Sequence, residues 1–370
     1  MIPLSKIITE FENRYLDKYD QSILPSHKKA LQVMKRCRSE ISSYMLVQCS
    51  DPECEKIGFI PHFCGHRNCP HCQNHESQQW IDNQLSKQLP AEYYLITFTL
   101  PSQLRNIAWK NQKLVYTLFF FCVQNVLKTF TKNDKKLNGK AGFTAILHTH
   151  SRELNFHPHI HVVIPGGSIN TKSKLWRVKT GNYLFNHKAL AKVFRAKLLK
   201  ELVNNNLQVP KNCPKTWVVD CKNVGNGSKA LIYLGKYLYK GVIQERDILK
   251  CENGMVTFRY TESKTKTTQI KTVKGEYFLW LLTQHVLPKG FRKVRSYGFL
   301  HPCSKKLIQL LQLILRFNPV QMYKKIREKA GIICKCCGAR MEIVRTMIPT
   351  KKEARRLALL DIMTRSHYVM

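Results

Sequence analysis

Two histidines lie two residues apart in a strand-like segment, at His159 and His161. Successive side chains of a strand point to opposite faces, so both imidazoles share one face while Ile160 and Val162 enter an apolar layer on the other. Neutral imidazole is a common ligand of divalent metals. The pair is therefore a candidate metal site, and the alternative is a hydrogen-bonded pair of surface histidines.

A second histidine pair, His148 and His150, ends the strand-like segment that comes before. If residues 151–157 connect the two segments as a hairpin, we expect His148 to lie across from His161. Together with His159, it would complete a site of three nitrogen ligands. Such a site keeps coordination positions open for water and a phosphate oxygen.

Two tyrosines four residues apart, Tyr233 and Tyr237, share one face of a predicted helix. Lys236 follows the first by three residues and Lys240 follows the second by three. A neighbouring cation favours the phenolate and lowers the pKa of a tyrosine, and a phenolate can attack a phosphodiester to form a covalent bond. The lysines are also candidate DNA contacts. The alternative is that both tyrosines serve core packing.

Cysteines are concentrated near the N-terminus, where five fall within a short segment: Cys49, Cys54, Cys64, Cys69 and Cys72. Cys69 and Cys72 have the spacing of half a tetrahedral zinc site. We expect the other half to be Cys49 and Cys54, with Cys64 as the substitute. Four thiolates leave no open position, so this zinc would be structural.

A second cysteine cluster lies near the C-terminus, at Cys334, Cys336 and Cys337. No second pair is evident in the sequence around it. The cluster is therefore either half of a zinc knuckle or a set of reduced thiols.

Alternating strand-like and helix-like segments must position these side chains. Apolar β-branched and aromatic runs predict strands, and a helix is expected from Ser102 to about residue 130. A further helix is expected over residues 229–240. This mixture predicts an α+β fold with an antiparallel sheet flanked by helices. The predicted strands are residues 93–100, 143–150, 159–164 and 217–221.

Composition points to a polyanionic partner. The 370 residues include 61 Lys and Arg against 24 Asp and Glu, a formal net charge of +37, and 44% are apolar. The apolar fraction excludes a disordered chain, and such a charge favours an extended nucleic-acid-binding surface over a merely soluble basic protein. There is no signal-peptide layout and no run of about 18 apolar residues. We expect a cytoplasmic, nucleoid-associated protein with reduced cysteines.

An ordered set of motifs resembles the HUH transposases of rolling-circle insertion sequences, of the insertion-sequence-91 type. Two positions depart from that family: His150 replaces the usual aromatic residue, and Cys49-x4-Cys54 replaces a Cys-x2-Cys pair. The matching segments are Cys64-Gly-His-Arg-Asn-Cys69-Pro-His-Cys72-Gln73, Leu147-His148-Thr149, Asn155-Phe-His157-Pro-His159-Ile-His161, Gly166-Gly167, Trp217-Val-Val, Tyr233-Leu-Gly-Lys-Tyr237, His285-Val-Leu-Pro-Lys-Gly290-Phe291 and Tyr297-Gly-Phe299-Leu300.

The resemblance implies a metal-dependent cut in single-stranded DNA. His159 and His161 match the family's metal-binding pair, and Tyr233 and Tyr237 match its nucleophiles. With His148, we expect the pair to hold Mg²⁺ or Mn²⁺, and the product to be a 5′-phosphotyrosine. Single strands and hairpins at the element ends are the expected partners, with no membrane and no small-molecule substrate.

The same motifs divide the chain into three expected regions. These are an N-terminal zinc-binding domain over 1–76, an HUH catalytic domain over 77–245 and a basic C-terminal region over 246–370. Two other interpretations stay open. One is a replication initiator or relaxase with the same chemistry, and the other is a non-catalytic, zinc-containing DNA-binding protein.

Overall fold

The computed structural model describes residues 2–347 except 39–41, 71, 73, 152, 171, 172, 174, 240–242, 263, 264, 266 and 320–330. The helices are α1 Leu4–Tyr19, α2 Pro25–Lys35, α3 Asn74–Leu85, α4 Arg105–Lys110, α5 Gln112–Asn133, α6 His187–Asn204, α7 Ser228–Tyr239, α8 Gly275–Thr283 and α9 Lys305–Ile314. The strands are β1 Tyr44–Cys49, β2 Ile57–Pro61, β3 Tyr93–Thr99, β4 Phe143–His150, β5 Phe156–Pro165, β6 Gly167–Asn170, β7 Leu175–Val178, β8 Val219–Asn223, β9 Ile248–Glu252, β10 Met255–Thr261, β11 Thr268–Lys274, β12 Val294–Tyr297, β13 Ile332–Ile333 and β14 Arg340–Met347.

A five-stranded sheet forms the centre of the fold, in the order β12-β4-β5-β3-β8. Each neighbouring pair is antiparallel. The four predicted strands are all present, although the last begins at Val219 and not at Trp217. The α+β class and the antiparallel sheet flanked by helices are thereby confirmed.

Alternation along β5 separates two layers of the protein. Ile160 and Val162 are buried in the larger core, which β3, β4, α5 and α6 complete. Val163 points to the other face and packs against residues of α3 and α7. His159 and His161 have the same parity as Val163, so they lie on the α7 side of the sheet. The fold thus presents the histidine pair to the tyrosine helix.

The predicted long helix after Ser102 is interrupted. A 3-10 turn at Ser102–Leu104 leads into α4, and α5 begins only after Asn111, whose φ of −126° is not helical. The predicted Ser102 cap is absent, since its hydroxyl donates to Gln103 Oε1. Among the described residues, α5 is long and apolar enough to cross a membrane by length and composition, but much of it is buried in the core.

The N-terminal helices share a core with segments from the C-terminal half. Helix α1 packs against α8, where Tyr15 Oη and Thr283 Oγ1 are 2.9 Å apart. The backbone amide of Leu4 also donates to Glu245 Oε1 at 2.8 Å. These contacts cross the predicted borders at residues 76 and 245, and the three-region division stays a prediction.

Candidate functional site

Three histidines converge on the α7 face of the sheet. The ring centroid of His148 lies 4.4 Å from that of His161 and 5.1 Å from that of His159. The centroids of His159 and His161 lie 4.8 Å apart. One ring nitrogen from each falls within 4.8 Å of the others, a separation that a single metal ion can bridge. The predicted register is wrong: His148 pairs with His159, and Ile146 pairs with His161. The cluster forms nevertheless, because all three side chains share one face.

Hydrogen bonds fix two of these rings so that one nitrogen remains for a ligand. Thr97 Oγ1 lies 2.9 Å from His161 Nδ1, and the carbonyl oxygen of His157 lies 2.7 Å from His159 Nδ1. Such outer contacts orient metal-binding imidazoles and select their tautomer. Sequence reasoning missed Thr97, which stands opposite His161 on β3.

The third histidine provides a direct test of whether a metal fits. His148 is only 2% exposed, and its Nε2 has no hydrogen-bond partner among the described residues. A buried polar atom without a partner is costly, and metal coordination would satisfy it. Burial also lowers the pKa of His159 to about 4 and of His161 to about 3. Both rings are therefore neutral near pH 7, which is the form that binds metals.

Helix α7 brings the tyrosines to this cluster. Gly227, in the turn before the helix, and Gly235, within it, let α7 lie close to β3 and α3. Gly227 has a φ of +80°, and a Cβ atom there would collide with the ring of Tyr93. Gly235 faces Ile81 of α3, where a Cβ atom would collide. The α3–α7 packing thus holds the helix against the sheet.

Tyr237 occupies the centre of the site. Its ring stacks on His148 at a centroid distance of 3.6 Å and an angle of 21°. Its hydroxyl lies 2.7 Å from His150 Nε2. Lys293 Nζ stands 5.1 Å from the ring centroid. The two predicted nucleophiles differ in setting, because Tyr233 is 50% exposed at the edge of the same cleft.

The expected lowering of the tyrosine pKa is wrong for Tyr237. Burial raises its pKa well above the ordinary value, and Tyr233 adds to the effect. The predicted cation Lys236 is exposed in the cleft and does not offset this rise in pKa. Lys240 lies outside the described residues. Tyr237 is therefore a neutral phenol, and it needs a base to take its proton when it reacts.

The nitrogen within hydrogen-bond distance of the Tyr237 hydroxyl is His150 Nε2. Burial lowers its pKa well below the ordinary histidine value, so the ring is neutral. Its ring also lies against that of His285, with centroids 3.8 Å apart. The departure from the family pattern at His150 was visible in the sequence, but its contact with Tyr237 was not. His285 and Lys293 were also missed as site residues, and only the family-like segment at 285–291 hinted at the first.

The cleft above the histidines has a volume of about 850 Å³. Its wall is completed by residues from two separate stretches, 243–247 and 258–261, which include Arg246 and Arg259. Arg259 Nε donates to Asp247 at 2.9 Å. These arginines and Lys236 give the cleft a positive charge that suits a phosphate backbone.

The predicted single four-cysteine site is wrong in its grouping. Cys69 and Cys72 join Cys64 and Cys37, and all four sulfur atoms lie within 4.8 Å of one another. Cys49 and Cys54 belong to a separate group with Cys334 and Cys337. The reason is tertiary: α2 ends beside the Cys64–Cys72 loop and presents Cys37, while β14 pairs with β1 and brings the C-terminal cysteines to the end of β1.

Distances in the first group match a tetrahedral metal site. Cys37 Sγ lies 3.7 Å from Cys72 Sγ and 3.6 Å from Cys69 Sγ, and Cys64 Sγ lies 3.5 Å from Cys72 Sγ. Zinc–sulfur bonds of about 2.3 Å in a tetrahedron place the sulfur atoms about 3.8 Å apart. This set, the loop cluster, can therefore hold zinc.

Two family models match the chain. Residues 7–100 match the "Transposase zinc-binding domain" model of the insertion-sequence-91 type, and residues 142–307 match the model described as "Putative transposase". The first contains the loop cluster. The second contains the three histidines and both tyrosines.

Two relatives are similar over most of their length. "Putative transposase y4qJ" of Sinorhizobium fredii (strain NBRC 101917 / NGR234) is 27% identical, over 79% of this chain and 80% of its own. The transposase for insertion sequence element IS801 of Pseudomonas savastanoi pv. phaseolicola is 26% identical, over 83% of this chain and 81% of that protein. Among solved structures, a copper-bound conjugative relaxase TrwC in complex with oriT DNA matches 60% of this chain and 70% of that one, at 12% identity and a TM-score of 0.28.

The order of the two matched domains and the similarity of both relatives agree with the resemblance drawn from the motifs. The chain therefore belongs to the transposases of the insertion-sequence-91 type, enzymes that act on DNA.

Proposed function

We propose that this transposase cuts and rejoins single-stranded DNA through a 5′-phosphotyrosine, with His148, His159 and His161 holding Mg²⁺ or Mn²⁺. The observation that carries the proposal is the meeting of three neutral histidines and a partly buried tyrosine at one cleft. When bound, the cation supplies charge stabilisation to the scissile phosphate and orients it. Thr97 and the His157 carbonyl hold two of its ligands in place.

The first nucleophile in this proposal is Tyr237. Its proton passes to His150 Nε2, 2.7 Å away, and its oxygen forms a bond to the phosphorus. The bond from phosphorus to the 3′ oxygen breaks, and that oxygen leaves as a 3′-hydroxyl after taking one proton from solvent. The phosphodiester energy is conserved in the new ester, so a later 3′-hydroxyl can rejoin the strand without ATP.

Tyr233 is proposed to take the second strand end. It lies one helical turn before Tyr237, on the same face, and half of its side chain is exposed to the cleft. An exposed phenol can meet a strand that arrives after the first one is attached. Two tyrosines at one metal site would then let cleavage and joining alternate.

Lys236, Lys240 and the arginines of the cleft are proposed to bind the phosphate backbone. The unpaired strand is the preferred substrate because Tyr237 lines the cleft and is only partly exposed, so a flexible unpaired backbone can reach it more easily than a stiff duplex. Hairpins at element ends present such unpaired segments. The loop cluster is proposed to hold structural zinc, and the chain to work in the cytoplasm on the nucleoid.

A strand-cleavage assay tests the function. Overlapping single strands that cover the DNA on both sides of the gene, labelled at either end, are incubated with the full chain and Mg²⁺ or Mn²⁺. We expect a detergent-stable protein–DNA adduct that carries the 3′-labelled fragment, and a released 5′-labelled fragment that a polymerase can extend. Cleavage without an adduct, or an adduct on the 5′-labelled fragment, would contradict the proposed chemistry.

A further inference from the structure

A second group of cysteines joins distant parts of the chain. Its members lie in two strand pairs, β1–β2 and β13–β14, which form one four-stranded sheet in the order β13-β14-β1-β2. We call residues 44–61 and 331–347 the ribbon. The group consists of Cys49, Cys54, Cys334 and Cys337.

The sulfur geometry of this group is that of a metal site. Cys49 Sγ lies 3.4 Å from Cys337 Sγ, and Cys54 Sγ lies 3.8 Å from Cys334 Sγ. All four sulfur atoms are within 4.8 Å of one another. These separations are close to the ~3.8 Å of tetrahedral zinc thiolates and far from the ~2.05 Å of a disulfide.

The backbone of the turn between β13 and β14 is arranged around its thiols. Cys49 ends β1 and Cys54 lies in the turn before β2, while Cys334 follows β13 and Cys337 lies before β14. The amide of Cys336 points at Cys334 Sγ at 3.4 Å. Gly338, with a φ of +78°, reverses the chain and donates to the Cys334 carbonyl at 3.1 Å. Amides directed at sulfur are the outer contacts that support thiolate ligands.

Apart from its strand pairing, the ribbon has little apolar packing. None of its described residues belongs to the hydrophobic clusters of the structure. Val47 is fully buried, but Phe59 is 67% exposed and Val344 is 57% exposed, so much of its apolar surface is uncovered. Small units without a core depend on disulfides or metals for stability.

We propose that Cys49, Cys54, Cys334 and Cys337 bind a second zinc ion, which fastens the strand pair near the C-terminus to the one near the N-terminus. Four thiolates complete a tetrahedral shell, so this ion is structural and takes no part in the DNA chemistry. The zinc-binding domain model ends at residue 100, so two of the ligands lie outside it. The chain accordingly binds two zinc ions, one in the loop cluster and one in the ribbon.

Metal content of the purified full chain tests this inference. Elemental analysis of protein prepared without chelators is expected to give two zinc ions per chain, and one in the Cys334→Ser/Cys337→Ser variant. Cys336→Ser is the matched control, because this exposed thiol lies in the same turn but outside the group. It should retain both ions. One zinc in the unmodified chain, or equal zinc in the double variant and the control, would overturn the proposal.

A second variant keeps the test decisive if the double variant does not fold. Cys337→His preserves four ligands but replaces one sulfur by nitrogen. With Co²⁺ in place of zinc, we expect the same metal count as the unmodified chain and a visible absorption shifted toward a site of three sulfurs and one nitrogen. An unshifted spectrum, or a disulfide found by thiol titration after chelation, would overturn the assignment. Strand cleavage is not a readout in either experiment, so failure of the proposed function would be seen separately.

Discussion

Replacing Tyr237 by Phe removes one oxygen atom from the centre of the site and leaves the stacking on His148, at 3.6 Å between ring centroids, in place. The substitution breaks the hydrogen bond to His150 Nε2. An unsatisfied buried polar group costs about 1–3 kcal/mol of folding free energy. The variant should therefore remain folded and bind metal. Without the hydroxyl it cannot form the first phosphotyrosine, and adduct formation should be lost.

Two further substitutions separate the role of Tyr237 from those of His150 and Tyr233. His150→Gln keeps an acceptor beside Tyr237 but cannot take its proton, and it should slow adduct formation by about 10²- to 10⁴-fold, the usual contribution of a general base. Tyr233→Phe should still form the adduct but fail to complete strand transfer.

The assay is gel separation of the covalent adduct on a labelled single strand with Mg²⁺. Peptide mapping should place the DNA within α7. Tyr260→Phe is the matched control, because Tyr260 lines the same cleft from β10. Full adduct formation by Tyr237→Phe together with none by Tyr233→Phe would refute the assignment of the first nucleophile. An adduct in the double Phe variant would show that the nucleophile lies elsewhere.

Three other outcomes follow from the same site. His159→Ala/His161→Ala should abolish cleavage with unchanged zinc content, as elemental analysis would show, and undiminished cleavage with Mg²⁺ would count against the metal site. Because burial lowers the pKa of His159 to about 4 and of His161 to about 3, these rings stay neutral as pH falls through the ordinary 6.5. Mn²⁺ binding, followed by calorimetry, should thus persist down to about pH 5, and loss near 6.5 would contradict the burial argument. With a formal charge of +37, affinity for a single strand should fall about 10³-fold or more between about 50 and 200 mM salt, whereas a salt-insensitive affinity would oppose phosphate binding along the cleft.

Local periodicity explains why the sequence could predict which side chains share a face, both in the histidine strands and in the tyrosine helix. A strand alternates faces every residue, so His159 and His161 had to point the same way once β5 was predicted. A helix places residues four apart on one face, so Tyr233 and Tyr237 had to face together. Their catalytic roles stay predictions. The register between β4 and β5 did not follow, because a hairpin with a five-residue turn and a bulge beyond His148 can pair in more than one way.

The cysteine ligands show where local spacing fails. Cys69 and Cys72 lie close in sequence, and the structure keeps them together. Their partners are chosen by packing: α2 brings Cys37, and the pairing of β14 with β1 draws Cys334 and Cys337 to Cys49. Proximity in the sequence favoured a single site from adjacent cysteines, since nothing within a short window reports contacts across nearly 300 residues.

The sequence by itself therefore determined the family, the antiparallel sheet and which side chains share a face, since these depend on residue types and on periods of a few residues. Only the tertiary structure decided how deeply each group is buried and what it meets. It placed Tyr237 against His150 and raised the pKa of its phenol, where the neighbouring lysine in the sequence predicted the reverse. The physical reason is that desolvation depends on every element packed around a group, and those elements come from the whole length of the chain.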